Sequence, residues 1–303
     1  MTAADDSDRG DVSGSPTGHT SRTSGLFAEI WNEAARDLHP AYFAMVMATG
    51  IVSIAAHLFD VNVVSLPLLG LNVVAYVVLW TLTVWRVVYF TDHFRTDFLS
   101  HARGPGYFTV VAATGVLASQ CVMLTDFLIA AIVLWGLTFG IWLCLTYAIF
   151  AALIVKKDKP DLSAGINGAW LVAVVGTQAV STSTGLVMPY FGPGDQQVLA
   201  LVTLVTFLFG GMLYIWVISL IFYRYMFFEF RADDLTPPYW INMGAVAITT
   251  LAGATLLANT DTVQFLARIQ PFIEGLSFFF WSTGTCAPSG YVPGGCSGGD
   301  RPE

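Results

Sequence analysis

Long stretches without a single charged residue constrain this chain more than any other feature. Charged residues make up 11% of its 303 residues and hydrophobic ones 55%. A soluble domain carries about 25% charged residues. A bilayer core of about 30 Å takes roughly 20 apolar residues of helix, and inside lipid a helix satisfies its own backbone polar groups. The sequence therefore predicts an all-α polytopic membrane protein.

Seven full spans and a broken eighth can be laid out. They run Pro40–Phe59, Pro67–Phe90, Pro105–Leu124, Phe127–Val155, Asn167–Met188, Val198–Tyr223 and Tyr239–Ala258. The eighth starts near Phe265 or Phe272 and breaks off around Thr285. Several spans open on a proline, where the missing N–H costs nothing. Residues 1–25 are rich in Ser, Thr, Gly and Asp and read as a disordered cytoplasmic tail. Residues 26–38 carry Phe27, Ile30, Trp31, Ala34 and Leu38 at helical spacing and read as an amphipathic lead-in helix. The transmembrane domain is expected over residues 39–285, and 286–303 form a Gly/Pro-rich tail of another kind.

Lys and Arg fix the expected orientation. Arg9, Arg22 and Arg36 precede the first span; Arg86, Arg95 and Arg103 flank the second loop; Lys156, Lys157 and Lys159 fill the fourth; Arg224 and Arg231 fill the sixth. The other side holds Arg268. The N-terminus is expected in the cytoplasm of a cell whose plasma membrane the chain spans.

Odd and even spans differ in bulk. Gly, Ala, Ser and Thr crowd the odd spans, whereas Trp80, Trp85, Trp135, Trp142 and Trp216 all fall on even ones. Small residues let helices approach closely, and small hydroxyls can line a polar path. The odd spans are thus expected inside, the even ones toward lipid. Ala48-Thr49-Gly50-Ile51-Val52-Ser53 resembles Ala113-Thr114-Gly115-Val116-Leu117-Ala118-Ser119 one hairpin later, and Gly176 follows at a similar depth. Tandem hairpins of one design account for this. Gly50, Gly115 and Gly176 are candidate helix hinges. Thr49, Ser53, Thr114, Ser119, Gln120, Thr177, Gln178, Ser181, Asn242 and Thr249 are candidates for the path.

The span cores carry no carboxylate of the kind that marks a proton relay. No phosphate loop, metal-ligand spacing or hydrolytic triad is present, so no catalytic residue, cofactor or metal is assigned. Net charge is −8, which excludes a nucleic-acid partner. A path of hydroxyls, amides and backbone dipoles binds weakly, as conduction requires, and suits small anions better than cations.

Four segments carry a family resemblance: HPAYFAMVMATGIVSIAAHLF from His39, NGAWLVAVVGTQAV from Asn167, PPYWINMGAVAITTLAG from Pro237 and FFFWSTGT from Phe278. Together they resemble the tellurite-resistance/dicarboxylate transporter family, which includes the slow-type anion channels of plant guard cells and malic acid transport proteins. The resemblance implies ten helices in five tandem hairpins around a quasi-fivefold central pore, and a homotrimer with one pore per subunit. It implies passage of halide or nitrate in some members and of malate-like dicarboxylates in others. The sequence departs from the pattern twice. Where channel members carry a pore-plugging Phe, Val174-Val175-Gly176-Thr177 is followed by Gln178, so the gate position is an amide that can serve as a binding group or as a bond between helices. After Thr285 the chain runs CAPSGYVPGGCSGGDRPE, which predicts a truncated or frameshifted end. The expected function is transport of small anions, a C4-dicarboxylate such as malate first and chloride or nitrate as the alternative. A non-transporting membrane sensor or scaffold is the reading from another class.

Overall fold

In a computed structural model the described residues are 29–125, 127–229 and 237–286, and no strand occurs among them. The 1–25 tail, the first residues of the lead-in segment and everything after Cys286 lie outside them. The lead-in helix α1 covers 29–36. It buries Ala35 and, just past its end, Leu38, with Trp31 half-buried against the same cluster, while Ile30 stays exposed. The buried stripe is therefore turned by one residue from the expected Ile30–Ala34 face.

The spans alternate in length. α2 (Ala44–Leu58), α5 (Phe108–Leu124), α8 (Leu171–Val187) and α10 (Ile241–Leu257) are 15 or 17 residues long. Between them run α3 (Asn62–Tyr89) and α6 (Leu128–Val155), each of 28 residues, and α9 (Pro193–Phe227), of 35. α11 (Gln264–Cys286) follows α10, and the short helices α4 (Thr91–Phe98) and α7 (Leu162–Gly165) lie in the basic loops. Cys286, expected in the tail, closes α11. α3 begins at Asn62, not at Pro67, because a proline early in a helix removes one ladder bond without ending it. α9 likewise starts five residues before the expected Val198, at Pro193 in its first turn.

All four odd spans open on a 3-10 turn: Pro40–Phe43, Gly104–Tyr107, Gly168–Trp170 and Pro237–Trp240. Local chemistry sets two of these starts. His39 Nδ1 accepts from the Ala41 N–H at 3.1 Å, and Asn167 Oδ1 from the Ala169 N–H at 2.9 Å. The turns pack side by side in chain order, and so do the helices they lead: α2 on α5, α5 on α8, α8 on α10. Each odd helix also has its own following helix behind it, α3, α6, α9 and α11. The self-similarity in the sequence is thus a row of four hairpins, with α2 and α10 at its ends. Of the most apolar window of each helix, 78% is buried in α5 and 94% in α8, against 22% in α2 and 33% in α10, as a row with two free flanks requires.

Glycine fixes the spacing of this row. A methyl added to Gly50 would strike Val116 of α5, one on Gly115 would meet Ala179 at 3.1 Å, and one on Gly176 would meet the Phe108 carbonyl at 3.2 Å. Each of the three lies inside an uninterrupted helix. At these glycines, expected as hinges, the inner helices come into close contact.

Candidate anion path

Seven of the ten sequence-predicted polar residues bond to a neighbouring helix. Ser53 donates to the Ser65 carbonyl of α3 at 2.8 Å. Thr114 pairs with the Tyr76 hydroxyl at 3.0 Å, and Gln120 Oε1 accepts from Asn72 Nδ2 at 2.6 Å. Thr177 accepts from Trp142 Nε1 at 2.9 Å. Gln178 Nε2 donates to the Phe207 carbonyl of α9 at 3.0 Å, and Ser181 donates to the Thr203 carbonyl at 2.8 Å. Asn242 Oδ1 accepts from Tyr214 at 2.9 Å. Gln178, at the expected gate position, is thus wedged between α8 and α9, where a methyl on Gly210 would meet its side chain. Thr249 bonds its own helix at Ala245. Thr49 lies about 160° round α2 from Met47, at 100° per residue.

Two of the tryptophans expected at the lipid face turn inward. Trp135 Nε1 donates to Thr184 and Trp142 Nε1 to Thr177, both at 2.9 Å. An indole N–H inside a bilayer needs a partner, and α8 supplies one seven residues apart on each helix. That matched spacing, 135/142 against 177/184, was the signal in the sequence that could have revealed the contact.

These bonds fix the opposite side of each inner helix. On α8 the partners of α6 and α9 leave from Thr177, Gln178, Ser181 and Thr184, so the far face carries Val175, Thr182 and Leu186. On α5, Val110, Thr114 and Leu117 face α3 and Gly115 faces α8, which leaves Ala112, Ser119 and Met123 toward the inside of the row. α2 turns Met47 and Ile54 the same way, and Met47 packs against the cluster that holds Ala112, Val175 and Val246. α10 contributes Gly244, Ile248 and Leu251. The inner face thus has two layers seven residues apart: Met47, Ala112, Val175 and Gly244, then Ile54, Ser119, Thr182 and Leu251. The register is set by Gly115 opposite Ala179 and Gly185 opposite Thr255. The second layer carries two hydroxyls. Ser119 donates to Gly115 of its own helix at 2.9 Å, whereas the buried Thr182 hydroxyl has no partner among the described residues. Thr182 lies in this layer by helical geometry, although only its polarity marked it in the sequence.

At the basic end, Arg86 of α3 is buried and pairs with the buried Asp97 of α4 at 2.6 Å, and Arg103 joins from outside at 2.9 Å. The opposite end has Glu274, hydrogen-bonded to Gln270 at 2.9 Å. Ser277 packs at Gly253 and Gly284 at Val246, which puts Glu274 level with the last turn of α10 and outside the middle of the span. Among the described residues no cluster of His, Cys, Asp and Glu could hold a metal ion.

The family model described as voltage-dependent anion channel matches residues 37–287. An uncharacterized transporter of Methanocaldococcus jannaschii is 23% identical over 254 residues, 81% of this chain and 70% of its own. A second uncharacterized transporter of that organism is 20% identical over 82% of this chain and 72% of its own. An uncharacterized membrane protein of Mycobacterium tuberculosis is 42% identical over 72 residues, 24% of this chain and 36% of its own. No solved structure matches.

Proposed function

Because the chain belongs to the voltage-dependent anion channel family, we propose that it passes small monovalent anions across the membrane along the inner face of α2, α5, α8 and α10. One observation carries the reading: most of the polar side chains expected on the path bond to neighbouring helices instead, which leaves a mostly apolar inner face with the Ser119 and Thr182 hydroxyls in one layer. A hydroxyl can donate to a passing anion without the grip of a fixed charge.

The same geometry argues for chloride or nitrate over malate. A carboxylate needs donors, and the free atom of the Gln178 amide is Oε1, an acceptor. The cost of taking an ion out of water rises with the square of its charge in the Born picture, and among the described residues the inner face offers no cation to offset a dianion. Three copies, each with its own path, would follow the family resemblance, and the Lys/Arg bias supports a cytoplasmic N-terminus.

The test is uptake of chloride, nitrate and malate into liposomes holding the purified full chain at a set membrane potential. Nitrate and chloride flux well above malate flux is expected. Malate flux equal to or above chloride would sink the monovalent reading, and absence of all three fluxes would sink the transport reading.

A further inference from the structure

A cleft of about 350 Å³ opens between α6 and α9 at the basic end of the molecule. Phe150, Trp170, Leu213, Trp216, Val217 and Leu220 form its depth. It falls in the size range of small-ligand sites, about 300–1,000 Å³. Both helices belong to the outer set, and Trp216 is 52% exposed, so in a bilayer this surface faces hydrocarbon.

The mouth of the cleft has a different chemistry. His101, Lys159 and Asp161 line it. The three lysines of the chain are Lys156, Lys157 and Lys159; Lys156, outside the lining, is close enough for its charge to act on His101, and its Nζ donates to the Leu99 carbonyl at 2.9 Å. His101 Nδ1 is buried without a partner. Burial, and then the charges of Lys156 and Lys159, hold the His101 ring below the usual imidazole range, so at neutral pH it keeps one N–H to donate. Asp158 and Asp161 are the counter-charges, leaving residues 156–161 with one net positive charge. An apolar slot that ends in cations where α6 emerges from the membrane has the polarity profile of a phospholipid.

We propose that this cleft binds an anionic phospholipid of the adjoining leaflet. One acyl chain lies along Trp216 and Leu220, and the phosphate meets Lys159 and the His101 N–H. The site stands apart from the inner face and does not depend on which ion crosses.

The test uses the full chain in phosphatidylcholine vesicles, with part of the lipid replaced by phosphatidylglycerol or phosphatidylcholine brominated on the acyl chains. Bromine quenches a touching tryptophan, and the emission lost in Trp216→Phe reports this cleft. Quenching by brominated phosphatidylglycerol is expected at a lower mole fraction than by brominated phosphatidylcholine, by about fivefold for each lysine engaged. Changing all three lysines to Gln should make the two lipids equal, while Lys159→Arg, which keeps charge and fold, should preserve the preference. Equal quenching in the unmodified chain, an unchanged preference in the triple Gln variant, or no quenching of Trp216 by either lipid (as when another protein fills the cleft) would overturn the proposal.

Discussion

Gln178 and Asp97 are both buried polar residues, and their surroundings give them opposite weights. Gln178 makes one bond, to a carbonyl inside a helix, and leaves Oε1 without a donor. Replacing it by Leu keeps the volume and removes both the bond and the orphan. Bonds of this kind between membrane helices are worth about 0.6 kcal/mol on average. Gln178→Leu should therefore shift thermal unfolding in detergent only slightly and leave flux in place; abolished flux in a folded variant would put the amide back on the path. Asp97 holds two guanidinium groups, and its loss leaves Arg86 charged and buried. Asp97→Ala should cost about 3–5 kcal/mol, read as a large fall in the unfolding midpoint, with Asp97→Asn in between. A fall no larger than that of Gln178→Leu would show that water reaches Arg86.

Between helices, the size of residues decides more than their polarity. Gly115 and Gly50 lie where inner helices touch, whereas nothing lies within 4 Å of a methyl placed on Gly140 of α6. Gly50→Leu and Gly115→Leu overfill the row and should destabilise by about 1–3 kcal/mol or more. Gly140→Ala should be neutral or stabilising by about 0.5–1 kcal/mol, because the helix gains backbone order at no steric cost. Equal behaviour of Gly115→Leu and Gly140→Ala would refute the packing order. This scale is also where the sequence was most legible. Small residues on odd spans marked the inner helices, and Pro40 and Pro105 marked two of their starts, whereas the turn before α10 begins at Pro237, two residues ahead of the expected Tyr239. The facing of each side chain was less legible, since lipid is as apolar as a protein neighbour and a hydroxyl in a span can serve a path or a partner helix equally well. Thr177, Ser181 and Thr184 share one face at i, i+4 and i+7, and the seven-residue spacing of Trp135 and Trp142 was the one sign of what stands opposite two of them.

At the scale of the molecule, the four hairpins among the described residues turn most of their bonded polar groups outward and two layers of mostly apolar side chains inward. Thr182 sits in the layer that also holds Ser119. Of the cysteines, Cys121 and Cys144 are free thiols in the spans, so the measurement that tests the inner path most directly starts from a chain with its native cysteines changed to Ala. Thr182→Cys and Ser181→Cys are placed one at a time in that background, and nitrate flux into liposomes is followed before and after a charged, water-soluble thiol reagent. Helical geometry puts these neighbours about 100° apart, one on the inner face and one against α9. Flux lost on modification of Thr182→Cys, with Ser181→Cys unreactive and unchanged, is the predicted result. Flux that survives full modification of Thr182→Cys, or that is blocked through Ser181→Cys alone, would contradict a path along this face.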